Sequence, residues 1–241
     1  ASQAVAQQDR PAHWLHAGAM PPGAIGRQRL LRGGPLSPYA ASACFTQPTE
    51  IRVPEGVGIA AASGSGFSQS HHDRLLVGLQ VASVYRFLIT DIPNYPGVEV
   101  FPTVELVDRL NPTPGMQLKF PVPIDITYSE LLMAAVGKYV TRVIYVEDPM
   151  RAAAIAYDAK AENPWIEVRP GDDPLVTAQG FGRPIAILRM GGRVPTESPA
   201  GALPYHGAVP LIYDASAEAD HADTLPAVAP VKVVDRTDQT H

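Results

Sequence analysis

The chain has 241 residues, of which 46% are apolar and 18% are charged, and its net charge is −5. This apolar fraction is sufficient for a sizeable buried core, whereas an acidic chain with no basic patch argues against a nucleic-acid-binding protein. No stretch reaches the ~18–20 consecutive apolar residues of a membrane-spanning helix, so we expect no transmembrane segment.

Proline-rich segments flank a β-rich centre: the chain has 25 prolines, roughly twice the ordinary frequency. Residues 1–48 and 193–241 show no sustained helical or strand period, yet they carry more apolar side chains than a solvated linker would. We therefore predict two extended arms that dock on partner protein chains. The predicted partner-binding residues are Trp14, Leu15, Leu30, Leu31, Tyr39, Tyr205, Leu211, Ile212 and Tyr213.

The folded domain is predicted between residues 49 and 192. It opens with "TEIRV" and "VGIAA", two strand patterns, and "ASGSGFSQSHHD" then predicts a loop tip of small residues. The best strand signal follows at residues 84–89, where Tyr85, Phe87 and Ile89 alternate with residues of the opposite face.

Prolines mark the next elements of the chain. "NYPG" predicts a turn, so the strands on either side of it form a hairpin or pass to opposite sheets. Proline lacks the N–H that a sheet ladder needs, so Pro102 predicts a bulge or an edge. Pro121 and Pro123 in "KFPVPIDIT" predict an edge strand for the same reason.

A capping box at Thr127–Glu130 predicts the clearest helix, and Gly137 is a suitable C-terminal stop. "YVTRVIYVE" predicts a strand, Asp173–Pro174 allows a further short helix, and "RPIAILRMGG" predicts the last strand. These patterns together predict a mainly β fold: a β-sandwich core with one capped α-helix and long proline-rich N- and C-terminal arms.

No pattern in the chain has the strength of a catalytic or metal signature. "HWLH" and "HHD" each supply two histidines, whereas a metal needs three or four converging ligands. The single cysteine, Cys44, allows no internal disulfide and is expected to be a small buried apolar residue. "GSGFS" and "GFGRP" lack the pattern of a phosphate-binding loop. We predict no catalytic residue, no metal and no cofactor.

Carboxylate pairs are the remaining candidates for chemistry, because glycosidases use two of them across a cleft. Glu99 and Glu105 flank Pro102, and Glu147 and Asp148 end another strand. We expect Glu99 and Glu105 to be exposed strand positions with no catalytic role.

The segments "GVEVFPTVELVDRL", "VTRVIYVEDP" and "GRPIAILRMGGR" resemble uncharacterised cell-envelope proteins of planctomycete-type bacteria, over roughly residues 14–193. The resemblance implies an exported, envelope-associated protein and assigns no activity or functional residue. The opening "ASQAVAQQ" is compatible with a mature product after cleavage at small residues.

The leading hypothesis is a non-enzymatic structural or interaction subunit of a bacterial cell-envelope or extracellular assembly. Two alternatives remain open. One is a β-sandwich module that binds carbohydrate or peptide, which a concave sheet with exposed aromatic side chains would favour. The other is a carboxylate-based hydrolase, which two carboxyl groups ~5–9.5 Å apart in a cleft would favour.

Overall fold

The computed structural model describes residues 23–27, 45–64, 66–148, 150, 166–169, 172–191 and 208–213. Strands account for 44% of these residues and helices for 14%, so the fold is mainly β, as predicted. The strands are β1 Thr46–Arg52, β2 Gly58–Ser63, β3 Gly66–Phe67, β4 His71–His72, β5 Arg74–Gln80, β6 Val84–Thr90, β7 Thr103–Leu106, β8 Val122–Asp125, β9 Val140–Glu147, β10 Gly182–Met190 and β11 Leu211–Ile212. The helices are α1 Tyr128–Ala135 and α2 Pro174–Phe181.

The strands form two sheets. Sheet 1 has four strands in the order β11-β5-β1-β8, and sheet 2 has seven, in the order β3-β2-β6-β7-β10-β9 with β4 paired to β2. The strand pairs are antiparallel except for β1 with β8, which is parallel. Of the two arrangements predicted for the strands around "NYPG", the hairpin is the one present: β6 and β7 pair antiparallel, with a turn bond from Tyr95 N to Ile92 O at 3.0 Å.

One apolar cluster joins the two sheets. The predicted alternation of β6 is confirmed, because Tyr85, Phe87 and Ile89 are buried while their neighbours are half-buried. Other members come from both sheets and include Ile51, Val77, Leu79, Ile124, Ile59, Val104, Ile185 and Leu188. α1 links the edge strand β8 of sheet 1 to the edge strand β9 of sheet 2, and it buries Leu131 in this shared core.

The predicted caps of α1 are present. Thr127 Oγ1 accepts a hydrogen bond from Glu130 N at 3.3 Å, and Thr127 N donates to Glu130 Oε2 at 2.9 Å. Gly137 ends the helix at φ +82°, and its N–H donates to Ala134 O at 3.0 Å. The glycine is needed here because L side chains rarely adopt this conformation.

The described residues contain a second capped helix in addition to the one that was predicted to be capped, and it lies where Asp173–Pro174 allowed a further short helix. Asp173 Oδ1 accepts from Leu175 N at 2.8 Å, and Pro174 occupies the first turn, where its missing N–H costs nothing. α2 buries Leu175 and Ala178.

Pro102 lies neither at a bulge nor at a sheet edge, the two positions that were predicted for it. The ladder runs without a bulge from Arg86–Thr103 to Ile89–Val100, and Phe87 N donates to Pro102 O at 2.9 Å. β7 lies between β6 and β10, so it is not an edge. Pro102 immediately precedes β7, and the start of a strand tolerates proline because a missing donor there interrupts little of the ladder.

The other proline prediction is confirmed, because β8, which contains Pro123, is an edge strand.

The small-residue segment at residues 62–73 is not a free loop tip. β3 pairs with the end of β2, and β4 pairs Ile59 with His71. Ser68 N also donates to Ala61 O at 2.8 Å. Backbone pairing of this kind does not depend on side-chain alternation, which explains why the composition of the segment predicted only a loop.

Described parts of both arms pack on the chain's own sheets. Residues 23–27 form a helical turn, and Ile25 joins Val107, Leu175 and Ile187 in a second apolar cluster. At the other end, Ala208 N donates to Val84 O at 2.8 Å on sheet 2, and β11 then pairs with β5 on sheet 1.

Candidate interaction surface

A buried ion pair occupies the side of sheet 2 that carries the second cluster. Arg189 Nη1 on β10 lies 2.9 Å from Glu105 Oε2 on β7, and the exposed fractions of the two side chains are 3% and 0%. Gly26 N donates to Glu105 Oε1 at 2.9 Å. The expectation that Glu105 is exposed was therefore wrong, because the turn at residues 23–27 covers it.

The two carboxylates that flank Pro102 do not form a catalytic pair. Glu99 is exposed, whereas Glu105 is enclosed with its carboxylate bound by Arg189 and Gly26. Six residues of extended chain span about 20 Å, well beyond the ~5–9.5 Å that glycosidases use.

A shallow polar cleft lies where β9 ends beside β10. It has a volume of about 390 Å³ and is lined by Val146, Glu147, Asp148, Gln179, Gly182 and Arg183. Arg183 Nη1 contacts Asp108 Oδ2 and Arg109 O, each at 2.9 Å. Its guanidinium is therefore bound to the loop that follows β7. Burial, followed by the charge of Glu147, raises the pKa of nearby Tyr145. Carboxylates at such an open cleft can contact a cationic group.

A further charged cluster crosses sheet 1. Glu50 on β1 contacts Arg52 and also Arg74 on β5, the latter at 3.3 Å. Arg52 Nη1 lies 3.2 Å from Asp125 Oδ1 on β8. These contacts tie three strands together across one face and pair each carboxylate with a guanidinium, which is a structural arrangement.

The histidine pair of "HHD" lies in β4, where His71 pairs with Ile59 and His72 with Gly58. Within the described ranges, no three His, Cys, Asp or Glu residues come together as a group that could hold a metal ion. "HWLH" and Cys44 lie outside the described residues.

Exposed apolar side chains concentrate around β9. Eleven large apolar side chains are exposed among the described residues. Seven of them belong to α1, β9, α2 or the chain next to these elements: Met133, Val136, Tyr139, Val146, Met150, Val176 and Phe181. Phe181 also contacts Tyr145 on β9, with 6.2 Å between the ring centroids. We call the outer side of β9, together with Val136, Tyr139, Val146 and Phe181, the β9 edge.

The β9 edge differs from the other sheet edges. β11 and β3 have two residues each, and β8 has four and contains Pro123. β9 has eight residues, five of them β-branched, and no proline. Every residue of β9 is half-buried or exposed, whereas seven of the nine residues of β10 beside it are buried. Among the described strands, only β10 pairs with β9. A long edge that no other described strand covers can present N–H and C=O groups to another chain.

The predicted partner-binding residues fall into two groups. Trp14, Leu15, Leu30, Leu31, Tyr39 and Tyr205 lie outside the described residues. Leu211 is exposed, Ile212 packs against the shared core, and Tyr213 N donates to Leu76 O at 3.0 Å. Burial raises the pKa of Tyr213. Their binding to a partner stays a prediction.

No protein-family model, curated protein or solved structure matches this chain. The resemblance to envelope proteins therefore stays a prediction. Across the described residues, no helix combines the length and apolar character needed to cross a membrane.

Sequence reasoning missed the contacts of Gly26, Ile25 and Arg189. A signal for one of them was present, because Glu105 and Arg189 are single opposite charges in the apolar stretches "TVELV" and "AILRM". Glu105 pairs with Ile187 in the ladder, which makes Arg189 its diagonal neighbour on the same face. No local pattern marks the docking of residues 23–27.

Proposed function

We propose that this protein is a non-enzymatic structural or interaction subunit of an exported cell-envelope or extracellular assembly. The observation that carries the proposal is the β9 edge, a long β-branched edge strand bordered by exposed apolar side chains. Exposed apolar surface bordering a strand edge that no other described strand covers favours binding to another protein chain.

In this proposal the core is a β-sandwich. Two observations support it: the two sheets contribute to one apolar cluster, and α1 links an edge strand of one sheet to an edge strand of the other. Sandwiches commonly present their edges and connecting segments to partners while the faces between the sheets supply stability.

The proposal keeps a partner-binding role for the arms. β11 would anchor the C-terminal arm on sheet 1, with Ile212 toward the core and the exposed Leu211 available to a partner chain. Export rests on the resemblance to envelope proteins, and secretion with detection in the envelope fraction would test it.

A peptide-binding module is the second candidate. The β9 edge favours it over a carbohydrate-binding module, because an edge strand can accept an extended peptide as an additional strand. In that case the purified chain would be a monomer that gains protection from hydrogen exchange in β9 when the peptide is added.

The particle mass tests the proposal. Light scattering on the purified full chain should give a mass above 25.7 kDa, and a chain beginning at residue 23 should have a smaller assembly with an unchanged melting temperature. A full chain that remains a monomer at every concentration, and that co-purifies with no protein partner from its native envelope, would overturn the proposal.

A further inference from the structure

Charges of opposite sign lie at the two ends of the β9 edge. Lys138, which is exposed, lies just before the strand, and Glu147 and Asp148 lie at its other end. Within β9 the only other charged residue is Arg142, whose Nη1 lies 3.2 Å from Glu130 Oε2 and whose Nη2 donates to Asp125 O. The side chain of Arg142 is thus turned toward α1 and β8 and places no charge on the outer side of the strand.

A strand that is basic at its start and acidic at its end is complementary in charge to a second copy of itself that runs antiparallel. When two copies lie side by side in opposite directions, the basic end of each meets the acidic end of the other. In a parallel pair the like charges would instead lie side by side, which is unfavourable.

We propose that the β9 edge is the interface for a second copy of this chain, with the two β9 strands antiparallel about a two-fold axis. This inference rests on the proposed function and names one partner for it. A closed two-fold pair uses the same patch on both copies, so neither β9 edge remains available to a third copy.

The register follows from the alternation of side chains. A two-fold axis perpendicular to sheet 2 keeps each face of the sheet on the same side in both copies, so paired residues must lie on the same face. An axis at Val143 places Val140 opposite Val146 of the second copy and Lys138 opposite Asp148 of the second copy. It also brings Tyr139, which is exposed, close to the end that carries Val146 and Glu147. The exposed apolar side chains at both ends of the strand then become buried between the copies.

The first test replaces an apolar residue at this edge by a cation. Val146→Lys places an ammonium group in the interface and should raise the dissociation constant of the dimer about a hundredfold, because unpaired charge opposes strand pairing. Val209→Lys is the matched control, since Val209 is an exposed valine away from β9, and its dissociation constant should stay unchanged. Sedimentation equilibrium on the full chain measures both, and circular dichroism confirms that each variant is folded.

The second test concerns direction. Lys138→Glu should raise the dissociation constant about tenfold, because the two ends of the strand then repel each other. Adding Asp148→Lys to that variant should restore the original value, because the register places residue 138 of one copy opposite residue 148 of the other and the charges are then exchanged but still complementary. An additive loss in the double variant would contradict antiparallel pairing.

The outcomes separate this inference from the proposed function. If Val146→Lys leaves the mass of the assembly unchanged while a chain beginning at residue 23 falls apart, the arms form the interface and the inference fails. If Val146→Lys alone yields monomers, the β9 interface is supported and the arms by themselves do not hold the copies together. A monomeric wild-type chain that still binds a different protein overturns the inference and leaves the proposed function standing.

Discussion

At the scale of single residues, Glu105 and Arg189 show how one buried pair organises its surroundings. Their contact at 2.9 Å joins β7 to β10, and the same carboxylate accepts the N–H of Gly26. Two charges removed from water cost free energy, and the pair offsets that cost only while both partners are present. We therefore assign Glu105 a structural role, not a catalytic one.

Replacing one partner of this pair should be strongly destabilising. We expect Glu105→Gln to lower the free energy of unfolding by about 3 kcal/mol, because Arg189 loses its counter-charge in a buried site. Glu99→Gln, on the same stretch but exposed, is the control and should change stability by less than about 0.5 kcal/mol. Urea titration measures both, and equal effects would contradict the structural role of Glu105.

The cap of α1 is a second single-residue feature with a measurable contribution. Thr127→Ala removes the acceptor for Glu130 N and should cost about 1 kcal/mol. Thr113→Ala, at an exposed loop position, should be close to neutral. Chemical denaturation of the two variants side by side provides the comparison, and unchanged stability in Thr127→Ala would show that the capping box contributes little.

At the scale of elements, the turn at residues 23–27 belongs with sheet 2 although the chain reaches it long before the first strand. Gly26 in this turn lies so close to sheet 2 that an added Cβ would be 2.6 Å from Ala82 Cα and 2.9 Å from Leu106 O. Displacing backbone atoms at the ends of strands costs free energy, because it disturbs the ladder, so this position requires glycine.

Gly26→Ala should therefore lift the turn from the sheet. We expect a loss of about 1–3 kcal/mol in the free energy of unfolding, as overpacked sites show, together with faster hydrogen exchange of the backbone amide at position 26. Gly180→Ala is the control within α2, where nothing lies within 4 Å of the added Cβ, and it should stabilise by about 0.5–1 kcal/mol. Equal stability of the two variants would contradict the close approach of the turn.

Tyr213, which directly follows β11, contributes to the free energy of unfolding in a pH-dependent way. Burial raises the pKa of Tyr213 above its ordinary value of about 10. In the unfolded chain this phenol ionises first, so its contribution to stability is fully present below pH ~10 and is lost as the pH rises through the folded-state pKa. Thermal melts of the wild type and of Tyr213→Phe across this range should show a steeper alkaline loss in the wild type. Parallel curves would mean that Tyr213 is as solvated in the folded state as in the unfolded one.

At the scale of the whole molecule, the boundary between arm and core depends on tertiary contacts. A chain beginning at residue 39 lacks Ile25 and Gly26, which cover Glu105 and complete the second apolar cluster. A chain beginning at residue 23 retains both residues. The two truncations therefore separate the role of the arm from the integrity of the core.

We expect the chain beginning at residue 23 to unfold at the same urea concentration as the full chain. The chain beginning at residue 39 should lose about 2 kcal/mol or more, because burial of one large apolar side chain contributes roughly 1.5–3 kcal/mol. Tryptophan-independent circular dichroism should be used for both, since the shorter chains lack Trp14. Equal stability of the two truncated chains would show that residues 23–27 add nothing to the core.

Several elements were predictable because their signals are local. The cap at Thr127, the stop at Gly137, the alternation of β6 and the proline-tolerant edge at β8 each depend on neighbours a few residues apart. Pro102 was not assigned correctly because the absence of a bulge depends on the register of β6 against β7.

The candidate surface was predictable only in part. Sequence alone indicated that "YVTRVIYVE" is a strand, since strand propensity is a property of the residues themselves. Tertiary structure alone decided that β9 lies at an edge, that Glu105 is buried beneath Gly26, and that pieces of both arms pack on the chain's own sheets. These outcomes depend on contacts between residues far apart in the chain, 79 positions for Gly26 and Glu105, and the free energy of such contacts comes from surfaces that meet only after folding.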